Sequence, residues 1–125
     1  SNVVVEKNIN TGLAVITVGE KDNTIVVISG ANSKVDKAYI DAKISEIKKC
    51  DVIILQNEIP YDTNKYVIHF CAENKIKVVL NPAPAMLVSD NVVNMVDYLT
   101  PNEHEVELIF QNMKLLRIYT INKTS

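Results

Sequence analysis

Apolar and polar residues follow two rhythms along this 125-residue chain, and the rhythm changes near residue 33. Before it, apolar residues come in short β-branched runs at 3–5, 13–18 and 24–28. Each run predicts a strand, because β-branched side chains suit a pleated surface. Gly19-Glu20-Lys21-Asp22-Asn23 is short and polar, so 12–29 reads as an antiparallel hairpin bracketed by Gly12 and Gly30. After residue 35, helical and strand patterns alternate. Asp36 caps a predicted helix to about Lys49, with Ile40, Ile44 and Ile47 on its apolar face at i, i+4 and i+7. Residues 51–55 form an apolar run suited to a strand covered on both faces. Pro60-Tyr61-Asp62 opens the next helix, with Asp62 as its expected cap and Val67, Ile68 and Cys71 facing inward. Residues 76–80 predict a second buried strand, followed by the loop Asn81-Pro82-Ala83-Pro84-Ala85. A short helix at 90–95, a third strand at 96–99 and a helix from Thr100-Pro101-Asn102 to about Phe110 complete the pattern. Strands separated by helices imply βαβ units, hence an α/β fold with a parallel sheet.

Composition narrows the function classes. The chain carries 17 Val and 15 Ile against 8 Leu, which favours a sheet-centred core. Its net charge is −2, and its basic residues are 12 Lys and a single Arg, Arg117. No basic footprint for nucleic acid or an anionic membrane follows. Apolar runs of about five residues fall far short of a membrane span. No charged-then-apolar leader pattern is present, so a cytoplasmic protein is expected. Cys50 and Cys71 are expected to be small buried hydrophobes in a reducing compartment.

In an open parallel sheet, chemistry collects where strands end and helices begin. Three segments fall there: Gln56-Asn57-Glu58, 81–85 and 100–105. Glu58 can accept hydrogen bonds from the hydroxyls of a sugar or polyol; position alone favours an ordinary solvated loop glutamate. Asn102 and Glu105 share one face at a helix start. An amide beside free helix N–H groups suits a phosphate, and a nearby carboxylate can hold Mg²⁺ through water. The alternative for this pair is a plain helix cap, since the dipole favours acidic first-turn residues anyway. No G-x-x-x-x-G-K-[ST] loop, no G-x-G-x-x-G and no G-x-S-x-G occurs.

Taken together, Thr11-Gly12-Leu13-Ala14-Val15-Ile16-Thr17-Val18, Gly30-Ala31-Asn32, Ile54-Leu55-Gln56-Asn57-Glu58-Ile59-Pro60, 81–85 and Thr100-Pro101-Asn102-Glu103-His104-Glu105 resemble the phosphofructokinase-B carbohydrate kinases in order and spacing. The resemblance implies a ribokinase-like α/β/α sandwich with a parallel sheet, plus a small antiparallel β lid that closes over the sugar. It divides the chain into a partial lid at 1–32, a partial kinase domain at 33–111 and a non-matching tail at 112–125. It implies phosphoryl transfer from ATP to a sugar hydroxyl, with D-ribose favoured. Glu58 would bind the sugar, Asn102 the ATP phosphates, and Glu105 Mg²⁺ through water. K⁺ is implied as well, at a site outside this chain. Family members often dimerise through their lids, so a homo-oligomer joined by the lid strands is expected.

The match spans less than half of a family member. The family's Gly-Ala-Gly-Asp signature, with its general-base aspartate, does not occur in these 125 residues. No catalytic residue is therefore assigned, and the chain alone is expected to be inactive. The alternative is a non-catalytic remnant that self-associates through exposed lid strands.

Overall fold

The computed structural model describes residues 2–19 and 23–110. It contains two sheets. β1 (Leu13–Val18) and β2 (Asn23–Ile28) pair antiparallel, with Leu13 opposite Ile28 and Val18 opposite Asn23. β3 (Val52–Gln56), β4 (Lys77–Asn81) and β5 (Tyr98–Leu99) form a parallel sheet in that order. Gln56 lies opposite Asn81, and Leu80 opposite Leu99, so all three strands end at one edge. The α/β class, the parallel sheet and the separate hairpin match the expectation from the sequence. The tail at 112–125 lies outside the described residues.

A 3₁₀ turn at Gly30–Lys34 joins the hairpin to the α/β layer. Gly30 is required there by its backbone: its φ is +52°, and a Cβ would lie 2.4 Å from Asn10 O and 2.8 Å from Thr11 O. The close approach lets Ala31 N donate to Asn10 O at 2.8 Å, which binds the two ends of the hairpin together.

The core lies on one face of the parallel sheet. α3 (Tyr61–Asn74) turns Val67, Ile68 and Cys71 inward, as its pattern predicts. They pack with Ile40, Val78, Val88 and Val92, and Ile53 and Leu55 of β3 join that cluster. The other face of β3 is bare: Val52 and Ile54 are exposed, Ile54 at 76%. The expectation of a strand covered on both faces thus holds for one face only, because among the described residues no layer packs on the second.

Four further expectations are corrected. Residues 3–5 are not a strand: β1 and β2 pair with each other, and these three valines join neither sheet. The helix expected from Asp36 to Lys49 is two short helices, α1 (Lys37–Asp41) and α2 (Ile44–Ile47). Asp36 does cap α1, its Oδ1 accepting from Tyr39 N at 2.9 Å. The chain then tightens: Lys43 N donates to Ile40 O, three residues back, and Lys43 leaves the helical region at φ −114°, ψ 2°. Asp62 is not the cap of α3; Pro60 occupies that position, and its carbonyl accepts from Thr63 N and Asn64 N. Proline suits a helix entry because it lacks a donor and has a fixed φ. Finally, Cys50 is exposed, in the turn before β3; only Cys71 is buried.

Short α4 (Asp90–Val93) falls in its expected place, and α5 (Glu103–Phe110) follows β5. Asp97 completes the sheet start, its Oδ2 accepting from Val78 N at 2.8 Å. Among the described residues no helix is long and apolar enough to cross a membrane.

Candidate functional site

Parallel pairing brings three loops to one rim: the β3–α3 loop with Glu58, the β4–α4 loop at 81–85, and the β5–α5 turn with Asn102. β3 and β5 flank β4, so these strands are two spacings apart, about 10 Å. Glu58, Asn102 and Glu105 therefore share the sheet edge at which an α/β fold binds ligands.

Asn57 fastens the first two loops together. Its side chain is buried, and its Nδ2 donates to Pro82 O at 2.9 Å and Pro84 O at 3.2 Å. Its backbone N donates to Ala83 O at 2.9 Å. The Ala83–Pro84 peptide bond between these acceptors is cis. Asn64 holds the strand end from the helix side, its Nδ2 donating to Gln56 O at 2.9 Å. Glu58 thus stands on a loop fixed from two directions.

Glu58 faces a cavity of about 290 Å³ at the junction of hairpin and sheet edge. Gly12, Ala14, Ile28 and Asn32 line it too. Asn32 Nδ2 lies 3.4 Å from Glu58 Oε2, across 26 residues of sequence. The cavity combines an apolar wall from the hairpin with an amide and a carboxylate from the body. That mixture suits a small polyhydroxyl molecule, whose C–H face is apolar and whose hydroxyls donate to the carboxylate.

Asn102 and Glu105 meet in a reciprocal cap. Asn102 Oδ1 accepts from Glu105 N at 2.8 Å, and Glu105 Oε2 accepts from Asn102 N at 2.9 Å. Asn102 Nδ2 also donates to Glu105 Oε1 at 3.2 Å. This capping box satisfies two orphan donors of α5. Asn102 is exposed at the rim, whereas Glu105 is only 6% exposed. Both oxygens of Glu105 are engaged within the cap, so this carboxylate is oriented rather than free to swing. Among the described residues no group of three or more His, Cys, Asp or Glu could hold a metal ion. A single oriented carboxylate fits Mg²⁺ only as that ion is held by nucleotide-dependent enzymes, through water and phosphate oxygens.

Other reactive side chains lie elsewhere. Burial pushes the Cys71 thiol up to about 11, with smaller contributions from Cys50 and Asp97, so it stays protonated and inert. His104 is exposed on α5, and His69 is half-buried within α3. Asn32 and Asn57 are the residues that sequence reasoning passed over. Both stand inside motif strings, yet their partners are 25–27 residues away in sequence. Only the fold discloses such pairs.

A family model described as pfkB family carbohydrate kinase matches residues 1–119. The chain belongs to that family of carbohydrate kinases. It is 43% identical over 122 residues to a ribokinase of Lactococcus lactis, covering 94% of this chain and 41% of the relative. It is 36% identical over 102 residues to a deoxyribokinase of Salmonella typhi, covering 80% of this chain and 33% of that protein. Among solved structures it resembles an Arabidopsis thaliana ribokinase complexed with ribose and ATP, with a TM-score of 0.69 and 25% identity over 83% of this chain and 34% of that one. The chain spans about two fifths or less of the length of these relatives.

Proposed function

We propose that this chain supplies the sugar-binding carboxylate and part of the nucleotide end of an ATP-dependent sugar kinase, with D-ribose as the favoured acceptor. The observation that carries the reading is Glu58 lining the cavity between the hairpin and the sheet edge. Glu58 accepts hydrogen bonds from sugar hydroxyls, while Gly12, Ala14 and Ile28 cover the sugar from the hairpin side. Ribose is favoured by the relative named a ribokinase. The relative named a deoxyribokinase makes 2-deoxyribose the competitor to test.

At the other end of the rim, exposed Asn102 offers its amide and the first N–H groups of α5 to ATP phosphates. Glu105 orients Asn102 through the cap and would hold Mg²⁺ through water. The ion would supply charge neutralisation at the phosphates. Phosphoryl transfer rests on several groups acting at once. Because no Gly-Ala-Gly-Asp string occurs in the 125 residues, the chain by itself transfers no phosphoryl group. It self-associates instead, through the apolar hairpin whose β1 residues are all exposed. The open edges of such a two-stranded sheet bind other strands readily.

The test is an ADP-release assay in Mg²⁺ and K⁺, on the chain alone and on the chain joined in frame to the Gly-Ala-Gly-Asp-bearing remainder of a family kinase. The isolated chain should release no ADP with ribose, and the joined protein should. In the joined protein, Glu58→Ala should raise the ribose KM, and Glu105→Ala should lower Mg²⁺-dependent turnover. Turnover by the isolated chain, or an unchanged ribose KM in Glu58→Ala, contradicts the reading.

A further inference from the structure

We infer that Asn32 is a positioning residue for the sugar site, acting through its side-chain amide on the Glu58 carboxylate. The inference rests on the sugar reading of Glu58. The two side chains come from different parts of the chain, the 3₁₀ turn below the hairpin and the loop after β3. They meet at 3.4 Å in a part-buried contact on the cavity wall. Asn32 is itself held in place. Its N donates to Ser29 O at 3.0 Å, and its carbonyl accepts from Val35 N at 3.1 Å. Gly12 lies against its amide: a Cβ on Gly12 would come within 3.3 Å of Asn32 Nδ2 and 3.1 Å of Ser29 O. The missing side chain at 12 therefore leaves the space in which the Asn32 amide reaches Glu58.

An anchored donor does for Glu58 what rotamer freedom would undo. It directs Oε2 along the wall and leaves Oε1 to accept from a hydroxyl. A carboxylate fixed before binding does not lose that freedom on binding. Among the described residues lining the cavity, Glu58 is the one titratable side chain. On the far side of Asn32, Glu6, Lys34 and Tyr39 line a neighbouring cavity of about 210 Å³.

Asn32→Asp tests this directly, because it replaces the donor by a second carboxylate. Like charges at such a distance favour one shared proton. At about pH 8 the two carboxylates repel and the Glu58 orientation is lost; a proton taken up by the pair in acid restores a hydrogen bond between them. The experiment is an NMR titration of the labelled 125-residue chain with D-ribose at both pH values. Asn32→Asp should bind about 10-fold more weakly than the unaltered chain at about pH 8 and regain part of that at about pH 5. Asn32→Ala should be weakened at both, and Asn32→Asp with Glu58→Gln should lose the pH dependence. The ligand-free chain gives a second readout: the Asn32 side-chain amide signals should shift when Glu58→Gln replaces the carboxylate they face.

Unchanged ribose binding by Asn32→Asp at about pH 8, with Glu58→Gln weakened, overturns the Asn32 role alone. Unchanged binding by Glu58→Gln overturns the sugar reading beneath it. An Asn32 amide whose signals ignore Glu58→Gln overturns the inference whatever the sugar does, and does not require any variant at 32 to fold.

Discussion

Asn57 carries more of the site's geometry than its neighbours in sequence. It crosses between two loops and donates to two carbonyls on the far one. Asn57→Ala leaves Pro82 O and Pro84 O without that donor in a buried place. Such a loss costs about 1–3 kcal/mol. Urea denaturation followed by circular dichroism should therefore show a lowered midpoint for Asn57→Ala. An unchanged midpoint would mean that the loops are held by other contacts. Gly30 is as demanding for a different reason. Gly30→Ala sets a Cβ against Asn10 O and Thr11 O and costs a left-handed backbone about 1–2 kcal/mol besides. The same melt should register that loss, with the hairpin signals shifting first in NMR spectra. Gly12 and Gly30 stand out in the sequence as brackets of the hairpin. The need for Gly30 became visible only with its φ and its neighbours.

At the scale of elements, the sequence was most legible where one residue pattern decided the outcome. Runs of β-branched residues on either side of a polar loop predicted the hairpin, and Val67, Ile68 and Cys71 marked the inner face of α3 correctly. Legibility failed where an element depends on a partner distant in sequence. Residues 3–5 have strand-like composition, but composition alone does not place a segment in a sheet, and the two-stranded sheet is made of β1 and β2. The break between α1 and α2 has no Gly or Pro to announce it; Ala42 and Lys43 are ordinary helix residues, and the short-range bond of Lys43 N to Ile40 O makes the turn. Across this broken helix, Asp41 ties α1 to α3. Its Oδ2 accepts from Lys37 Nζ at 2.7 Å and its Oδ1 from Tyr66 Oη at 2.6 Å. The Lys37 and Tyr66 hydrogen bonds hold the Asp41 carboxyl below its ordinary range, and the Asp41 bond raises Lys37. A lowered acid stabilises above its unfolded pKa and loses that contribution as pH falls through its folded value. A raised lysine stabilises below its unfolded pKa and loses that as pH rises through its folded value. The tie is therefore at full strength between these limits. Being on the surface, it should give a small, salt-sensitive drop in Tm for Asp41→Asn near neutral pH. That difference should vanish in strong acid, where the unaltered Asp41 is itself protonated. A difference that persists in acid would assign the effect to packing.

For the whole molecule, two apolar surfaces dominate. The hairpin exposes Val15, Ile16, Ile25 and Val26, and β3 exposes Val52 and Ile54 on the face away from α3. Extended apolar surface of this kind is what the proposed association would cover. Sedimentation at micromolar concentration should find the chain associated, and Ile16→Lys should shift it toward monomer by placing a charge on a strand facing its partner. A monomer without the substitution would contradict lid-mediated association. The family assignment rests on a match to residues 1–119. The sugar role proposed for Glu58 stands on its place in the cavity wall. Calorimetric titration of D-ribose into the chain and into Glu58→Ala tests it most directly. Loss of a hydrogen bond to a charged acceptor is worth about 1.5–3 kcal/mol, so Glu58→Ala should bind about 10- to 100-fold more weakly while its melting curve stays in place. Equal ribose affinity in the two proteins would contradict the account.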